Sequence, residues 1–238
     1  MKKNLRTRTR IKHFIFKINK TIINFFRSLF TYHKYLNVKW SKDLEKINTL
    51  DDFYKLYKIK LIEGNVQQYK DQSKYLDIYS KNASKILEIG FNAGHSAELF
   101  LKGNSNTIVT SVDIGFWYYC KFGREFLNKK YPNRLNVIFE DSKKISKVIQ
   151  EKYDLIFIDG NHSYEYALND LKNCKNFSHR QTYIILDDVE KDKDFQRPYN
   201  FGPTKAWEEL ISEKIIEEVD YVRFDKARGC TVGKFIFD

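Results

Sequence analysis

Residues 85–96 of this chain read Lys-Ile-Leu-Glu-Ile-Gly-Phe-Asn-Ala-Gly-His-Ser. An apolar run over residues 86–89 stops at Gly90, and helix-forming residues follow at 97–101. This order is typical of a buried strand that leads into a helix through a tight loop. Glycine lets the backbone approach a ligand closely, and the first N–H groups of a helix are free to bind it. The stretch therefore predicts a ligand-binding loop, and a glycine-rich turn without a ligand is the alternative.

The charge of the chain is unevenly distributed. The 238 residues carry a formal net charge of +11. Residues 1–40 contain eleven Lys or Arg and no acid, so the other 198 residues hold the remaining 31 basic side chains against 31 acidic ones. The balanced body gives no indication of nucleic-acid binding. We predict a basic extension over 1–40 and one domain over 41–238, with a helical lead-in at 41–82 and a core at 83–238.

The extension has the pattern of a basic amphipathic helix. Apolar residues recur at helical spacing over residues 11–30, and Lys and Arg lie mostly on the other side. The cations argue against a membrane span, and no secretory cleavage site follows. Three alternatives remain, which are a helix on an anionic membrane surface, an organelle-targeting segment, and a helix packed on the domain or on a partner.

The three cysteines bear on the location of the protein. Cys120, Cys174 and Cys230 are far apart and match neither a metal-binding spacing nor a disulfide framework. This pattern favours a reducing, intracellular and cytoplasmic setting, with membrane association through the N-terminal helix as an addition to it.

Strand-like and helix-like segments alternate after residue 85. The predicted strands cover 107–113, 135–139, 153–159 and 182–187, and the predicted helices cover 119–130, 143–151, 164–176 and 203–213. Such alternation predicts a parallel sheet with helices on both faces. Two last strand-like runs, 218–224 and 230–237, are close enough to form a hairpin, so the final strand should be antiparallel. We predict an α/β fold with a Rossmann-like, doubly wound, seven-stranded sheet, preceded by helices over 41–57 and 66–79.

Acidic residues stand at or near the ends of the predicted strands. They are Glu88, Asp113, Asp141, Asp159 and the pair Asp187 and Asp188. Open parallel sheets bind ligands beyond the carboxyl ends of their strands. One such Asp is commonly a helix cap or a turn residue, but acids after five strands predict a binding site. Asp113, 23 residues after Gly90, has the position of an acid that binds ribose hydroxyls.

Four motifs in order resemble those of class I S-adenosylmethionine-dependent methyltransferases. They lie at residues 87–96, 112–113, 139–142 and 157–164, and the most specific is the last, which contains Asp-Gly-Asn-His-Ser-Tyr. From about residue 63 onward the chain resembles metal-dependent small-molecule O-methyltransferases, the branch related to catechol O-methyltransferase and to bacterial sugar and antibiotic-tailoring enzymes. Members of that branch often have Glu-Asp or Asp-Asn where this chain has Asp187 and Asp188, which leaves the metal and its ligand order open.

The resemblance implies how S-adenosylmethionine would bind. The backbone at Gly90 and Gly94 would contact the methionine moiety, and Asp113 would bind the ribose. Asp141 and Ser142 would contact the adenine edge. The implied cofactor-binding set is completed by Glu88, Asn92, Ser96 and Asp159.

The resemblance also implies a cation and a base. Asp159, Asp187 and Asp188 would hold a divalent cation, for which Mg²⁺ fits three hard carboxylates best. His162 would be the general base that takes a proton from the substrate hydroxyl. As alternatives, His162 could cap the next helix and the Asp pair could be turn residues.

Two segments are candidate contacts for the acceptor. A polar loop at 190–203 contains Arg197 and Tyr199, and an aromatic cluster lies at 116–119. Loops at this edge of the sheet normally shape the substrate pocket, although the aromatic residues could equally pack on adenine or in the core.

The sequence thus predicts an S-adenosylmethionine-dependent O-methyltransferase acting on a hydroxyl of a small molecule or sugar, and three other classes are alternatives. A methyltransferase for RNA or another macromolecule would use the basic extension as a tether, but the balanced body argues against nucleic acid as a partner. A catalytically silent, membrane-attached protein could keep the fold. A dinucleotide-dependent oxidoreductase is disfavoured because the loop lacks G-x-G-x-x-G. Homo-oligomer formation is compatible with the sequence.

Overall fold

One seven-stranded sheet organises the computed structural model, which describes residues 22–23, 46–57, 59 and 64–237. The strands are β1 Lys85–Ile89, β2 Ile108–Asp113, β3 Leu135–Phe139, β4 Tyr153–Ile158, β5 Ser178–Leu186, β6 Ile216–Asp225 and β7 Arg228–Phe235. Their order is β3-β2-β1-β4-β5-β7-β6. Strands β1 to β5 pair in parallel, and β7 is antiparallel to both of its neighbours. The predicted sheet, including its antiparallel last strand, is confirmed.

Helices cover both faces of the sheet. They are α1 Leu50–Leu56, α2 Lys70–Ser80, α3 His95–Gly103, α4 Tyr119–Lys130, α5 Tyr164–Cys174 and α6 Phe201–Ser212. On one face a buried cluster contains Phe53 of α1, Leu76 of α2 and Phe100 of α3. On the other face the buried cluster contains Leu171 of α5 and Trp207 of α6. Because strand side chains alternate, Ile86 and Leu87 belong to opposite clusters.

Two predicted helices before the sheet differ in detail. The described part of the 41–57 prediction begins its helix at Leu50, where the Thr49 side chain accepts a hydrogen bond from the backbone N–H of Asp52. The 66–79 prediction is divided into a 3₁₀ turn at Val66–Gln68 and helix α2. This turn lies near the carboxyl ends of the first strands.

The predicted α-helix over 143–151 is wrong. A 3₁₀ helix, Ser142–Lys147, stands in its place, and Ile145 is the buried residue within it. A segment with so little apolar surface to bury gains little from a longer helix, and one tight turn is enough to connect β3 to β4. Strand β5 in turn begins at Ser178 rather than at 182, since Ser178 already pairs with Tyr153 before an irregularity in the register.

The predicted helix over 11–30 lies outside the described residues, apart from Ile22 and Ile23, which are helical and exposed. Among the described helices, none combines the length and the hydropathy that a membrane crossing needs.

Candidate active site

A cavity of about 620 Å³ opens at the carboxyl ends of β1, β2, β4 and β5. Six residues of the lead-in also line it, namely Gly64, Asn65, Val66, Gln68, Tyr69 and Gln72. Nine of the predicted site residues line it, and these are Gly90, Asn92, Asp113, Asp141, Ser142, Asp159, His162, Asp187 and Asp188. The structure therefore brings most of the predicted residues into one space of a size typical for small ligands.

Gly90 connects two parts of this site. Its φ is +100°, and a Cβ atom at this position would lie 2.0 Å from the backbone oxygen of Asp159. The N–H of Asp159 donates to the Ile89 carbonyl at 2.8 Å, which joins the two loops, and the N–H of Gly90 donates to the carbonyl of Val112 in β2 at 2.8 Å. The loop after β1 and the acid after β4 are thus held at contact distance by the absence of a side chain.

Gly94 has a different role from Gly90. It precedes α3 with a φ of +92°, and a Cβ atom there would lie 2.8 Å from the Phe91 ring. Gly94 does not line the cavity, nor does Ser96. The glycine at 94 allows the loop to fold over Phe91, so its predicted contact with the cofactor stays a prediction.

Glu88 is buried beneath the loop and does not line the cavity. Its carboxylate accepts hydrogen bonds from the hydroxyls of Ser96 and Ser111. Burial raises the pKa of Glu88 to about 7, although both hydroxyls act in the opposite direction. The predicted cofactor residues Glu88 and Ser96 are therefore bonded to each other inside the domain.

Asp113 and Asp141 stand on the β2 and β3 side of the cavity. One Asp113 oxygen accepts from the N–H of Asn92 at 2.8 Å, and the other accepts from the N–H of Gly115 at 2.6 Å. Asp141 accepts from the N–H of Lys143 at 3.0 Å and so caps the 3₁₀ helix. Ser142 follows it in the lining. These bonds fix the direction of both carboxylates and leave acceptor capacity for a ligand.

The aromatic cluster at 116–119 is divided between cavity and core. Phe116 and Trp117 line the cavity, and their ring centroids are 4.9 Å apart. Tyr119 is 1% exposed and packs in the core. Beside this cluster the exposed Ile114 adds an apolar rim.

Asp159, His162 and Asp188 form the charged centre of the site. One ligand atom from each lies within 4.8 Å of the other two. The Nε2 atom of His162 is 3.4 Å from Asp159 Oδ1 and 3.6 Å from Asp188 Oδ2. Asp188 adopts a φ of +53°, which turns it into this cluster at a cost in backbone strain. The cluster has the composition of a site for a divalent cation.

The cluster perturbs the pKa of its members. Burial lowers the pKa of His162, but its bond to Asp159 and the nearby charges of Asp188 and Asp187 outweigh burial and raise the pKa to about 9. Burial and the charge of Asp159 raise the pKa of Asp188 to about 6. Each shift follows from placing acids close together in a partly enclosed space.

Asp187 stands apart from this cluster. Its carboxylate accepts from the Gln72 amide at 2.9 Å and from the Cys230 thiol at 2.8 Å. Burial raises its pKa well above the ordinary value. Asp187 lines the cavity, but His162 rather than Asp187 joins the group of three, so its role as a cation ligand stays a prediction.

Several lining residues were not predicted from the sequence. They are Gln68, Tyr69, Gln72, Glu140, Tyr166 and Arg228. Arg228 is the first residue of β7, directly after the turn from β6, and contacts Asp188. Of the loop residues named above, Tyr199 lines the cavity, whereas Arg197 donates to the carbonyls of Asp194 and Gln196 instead.

The region that contains this site matches a known family. Residues 87–189 match a family model described as a methyltransferase domain. The match bears out the predicted enzyme class, a methyltransferase. The matched segment includes the glycine loop, Asp113, Asp141 and the Asp159, His162 and Asp188 cluster.

Solved structures of methyltransferases share the fold. An O-methyltransferase from Bacillus cereus in complex with SAH is similar with a TM-score of 0.60 and 18% identity, covering 82% of this chain and 91% of that chain. The methyltransferase PaMTH1 from Podospora anserina, bound to SAH, is similar with a TM-score of 0.60 and 17% identity, covering 82% of this chain and 92% of that chain. TomG from Streptomyces achromogenes is an O-methyltransferase involved in tomaymycin synthesis, solved in complex with SAM. It is similar with a TM-score of 0.58 and 16% identity, covering 86% of this chain and 94% of that chain.

At these identities the likeness to solved structures shows the methyltransferase fold. Comparison with curated protein sequences gives no match.

Proposed function

We propose that this methyltransferase transfers the methyl group of S-adenosylmethionine to a hydroxyl of a small molecule or sugar, assisted by a divalent cation. The observation that supports the proposal is the cluster of Asp159, His162 and Asp188 in the same cavity as Gly90 and Asp113. Two carboxylates and an imidazole beside a methyl donor suit the activation of a hydroxyl group.

The cluster fits a divalent cation. Its three ligand atoms lie within 4.8 Å of one another, which is close to the span of one ion with ligands at about 2.1 Å. Carboxylate oxygens suit Mg²⁺, and the imidazole would also suit Mn²⁺ or another first-row metal. When bound, such a cation lowers the pKa of a substrate hydroxyl and fixes its position. Asp159 and Asp188 would hold it.

His162 would accept the proton of the acceptor hydroxyl once a cation held by Asp159 and Asp188 offsets the carboxylate charges that otherwise raise the pKa of His162 to about 9. Its imidazole is held between Asp159 and Asp188, which orient the ring. On the other side of the cavity the loop at Gly90 would position the methionine moiety, and Asp113 would bind the ribose hydroxyls. Holding the donor methyl and the acceptor oxygen in line is the main contribution that such a site can make.

The size of the cavity supports a small acceptor. A volume of about 620 Å³ is in the range of small-molecule sites, and it has to hold the methyl donor as well. We also infer an intracellular location, because Cys120, Cys174 and Cys230 are all free thiols.

Labelled methyl transfer tests the proposal. The protein is incubated with S-adenosylmethionine carrying a labelled methyl group, Mg²⁺ and a panel of phenols and sugars, and the methylated atom is located by NMR. We expect label on oxygen, loss of transfer in Asp113→Ala, and retention in Asp194→Ala, which removes an exposed acid outside the cavity. Label on nitrogen or carbon, or transfer to RNA alone, contradicts the proposal.

A further inference from the structure

Arg228 occupies the acceptor side of the cavity. It is the first residue of β7, follows the turn at 226–227, and lines the cavity. Its Nη1 atom is 3.3 Å from Oδ1 of Asp188, while Oδ2 of the same carboxylate faces His162. Arg228 and the proposed cation would thus flank one carboxylate from its two sides.

The side chain of Arg228 is positioned by its neighbours. The guanidinium carbon is 5.0 Å from the ring centroid of Tyr199 and 6.0 Å from that of Tyr69. The preceding turn is fixed to the loop before α6, because the Tyr199 hydroxyl and the Asn200 amide both donate to the Ala227 carbonyl, at 3.1 and 2.7 Å. Three segments that are distant in sequence therefore position the guanidinium of Arg228.

Most hydrogen-bonding capacity of Arg228 is unused. A guanidinium has five N–H donors in a planar fork. Across the described ranges, the hydrogen bond to Asp188 is the one that Arg228 makes, so Nε and Nη2 have no protein acceptor. The side chain remains 39% exposed and faces the cavity. This is the geometry of a guanidinium that can bind a further oxyanion in a bidentate manner.

Charge around Arg228 indicates which ligand would fit. Six acids line the cavity, namely Asp113, Glu140, Asp141, Asp159, Asp187 and Asp188, and Arg228 is the sole Lys or Arg among the described lining residues. A divalent cation would offset the charges of Asp159 and Asp188, while Asp187 already accepts from Gln72 and Cys230. The cation would then weaken the pull of Asp188 on Arg228, so that the positive charge of Arg228 would be available to an anionic ligand.

We propose that the acceptor carries an anionic group, a carboxylate or a phosphate, within a few bonds of the methylated hydroxyl, and that Arg228 binds it. The inference rests on the proposed function, since the position of the hydroxyl follows from the cation cluster. The phenol rings of Tyr69 and Tyr199 would limit the movement of the guanidinium and leave its outer edge for the anion. Arg228 is therefore the residue that selects anionic over neutral acceptors.

Matched pairs of acceptors test the inference by binding rather than by turnover. The full chain, with S-adenosylhomocysteine and Mg²⁺ present, is titrated calorimetrically with catechol against 3,4-dihydroxybenzoate, and with glucose against glucuronate and glucose 6-phosphate. We expect at least one anionic member to bind tenfold or more tightly than its neutral counterpart. Comparing the affinities for glucuronate and glucose 6-phosphate shows whether a carboxylate or a phosphate is preferred.

Variants assign the preference to Arg228. Arg228→Gln should lose at least tenfold in affinity for the preferred anion and no more than about twofold for the neutral counterpart. Arg228→Lys should fall in between, because it keeps the charge and loses the fork. Lys226→Gln removes an exposed charge from the same turn, outside the cavity lining, and should bind as the wild type does.

The inference is overturned if no anionic member is preferred, if no member binds, or if Arg228→Gln weakens both members of a pair equally. Anion-selective binding without O-methylation of any acceptor would support the anion site and contradict the proposed O-methyl transfer, so the two claims fail separately.

Discussion

Gly90 and Asp159 are in direct backbone contact across β1 and β4, so that a Cβ atom on Gly90 would lie 2.0 Å from the Asp159 carbonyl oxygen. The loop proposed to bind the methyl donor and the acid proposed to bind the cation are therefore parts of one rigid element. A displacement of either one should be transmitted to the other.

The first prediction follows from this contact. Gly90→Ala must move the backbone at Asp159 and place alanine at a φ of +100°, so we expect a loss of at least about 2 kcal/mol in the free energy of unfolding. Urea denaturation measures the free energy of unfolding of the variant and of the wild type. Gly103→Ala is the control, because its added Cβ would meet only the end of the Asp77 side chain, at 3.0 Å. Equal stability of the Gly90 variant and the wild type would contradict the contact.

The second prediction concerns Glu88 and pH. Its pKa is about 7 in the folded protein against an ordinary 4.5, so between these pH values the folded state keeps a proton that the unfolded state has lost. Stability from this group therefore falls as pH rises through that window, by up to about 3 kcal/mol. Glu88→Gln avoids the loss, and its stabilisation should grow from near zero at pH 4.5 to its full value at pH 8.

Denaturation curves at pH 4.5, 6 and 8 check this dependence. Glu208→Gln, which changes an exposed glutamate on α6, should show no comparable trend. A stabilisation by Glu88→Gln that does not change with pH would contradict the raised pKa of Glu88, because the pKa would then be the same in the folded and unfolded states.

A third prediction separates two roles of His162. If His162 accepts the proton, His162→Gln should lower methyl transfer at neutral pH by about 10²- to 10⁴-fold and leave Mg²⁺ affinity within about threefold. Asp188→Asn is the matched comparison, because loss of a carboxylate ligand should weaken Mg²⁺ binding directly. Calorimetric titration with Mg²⁺ gives the affinities. A tenfold or greater loss of Mg²⁺ affinity in His162→Gln would make the imidazole a ligand instead.

The fourth prediction concerns residues 1–40. Eleven cations and no acids in this segment should attract it to anionic vesicles, at roughly 1 kcal/mol for each Lys or Arg that reaches the surface. We expect the full chain to co-sediment with such vesicles, and a chain beginning at residue 41 to remain in the supernatant. Equal sedimentation of the two would exclude a membrane role for this segment.

The sequence predicted the sheet well because apolar runs between turn residues are a strong local signal. The predicted bounds of α4 and β3 agree with the structure. The predicted helix over 143–151 was wrong because the local signal there is weak. The two buried residues, Ile145 and Ile149, are compatible with either a short or a long helix.

The site was predicted less completely than the sheet. The sequence does not show the direction of a side chain, nor which residues distant in sequence meet at the cavity. Glu88 was expected at the edge with the other acids, but strand alternation turns it toward Ser96 of α3. Arg228 gave no sequence signal at all, because it reaches the cavity through the pairing of β6 with β7 and the bonds from Tyr199 and Asn200 to Ala227.

The most direct test is calorimetric titration of the wild type and of Asp113→Ala with S-adenosylhomocysteine, which needs no knowledge of the acceptor. We predict one binding site per chain in the wild type and at least tenfold weaker binding in the variant, since Asp113 would lose its bonds to the ribose. No measurable binding by the folded wild type, or equal affinity of the two proteins, would contradict the assignment of this cavity to the methyl donor.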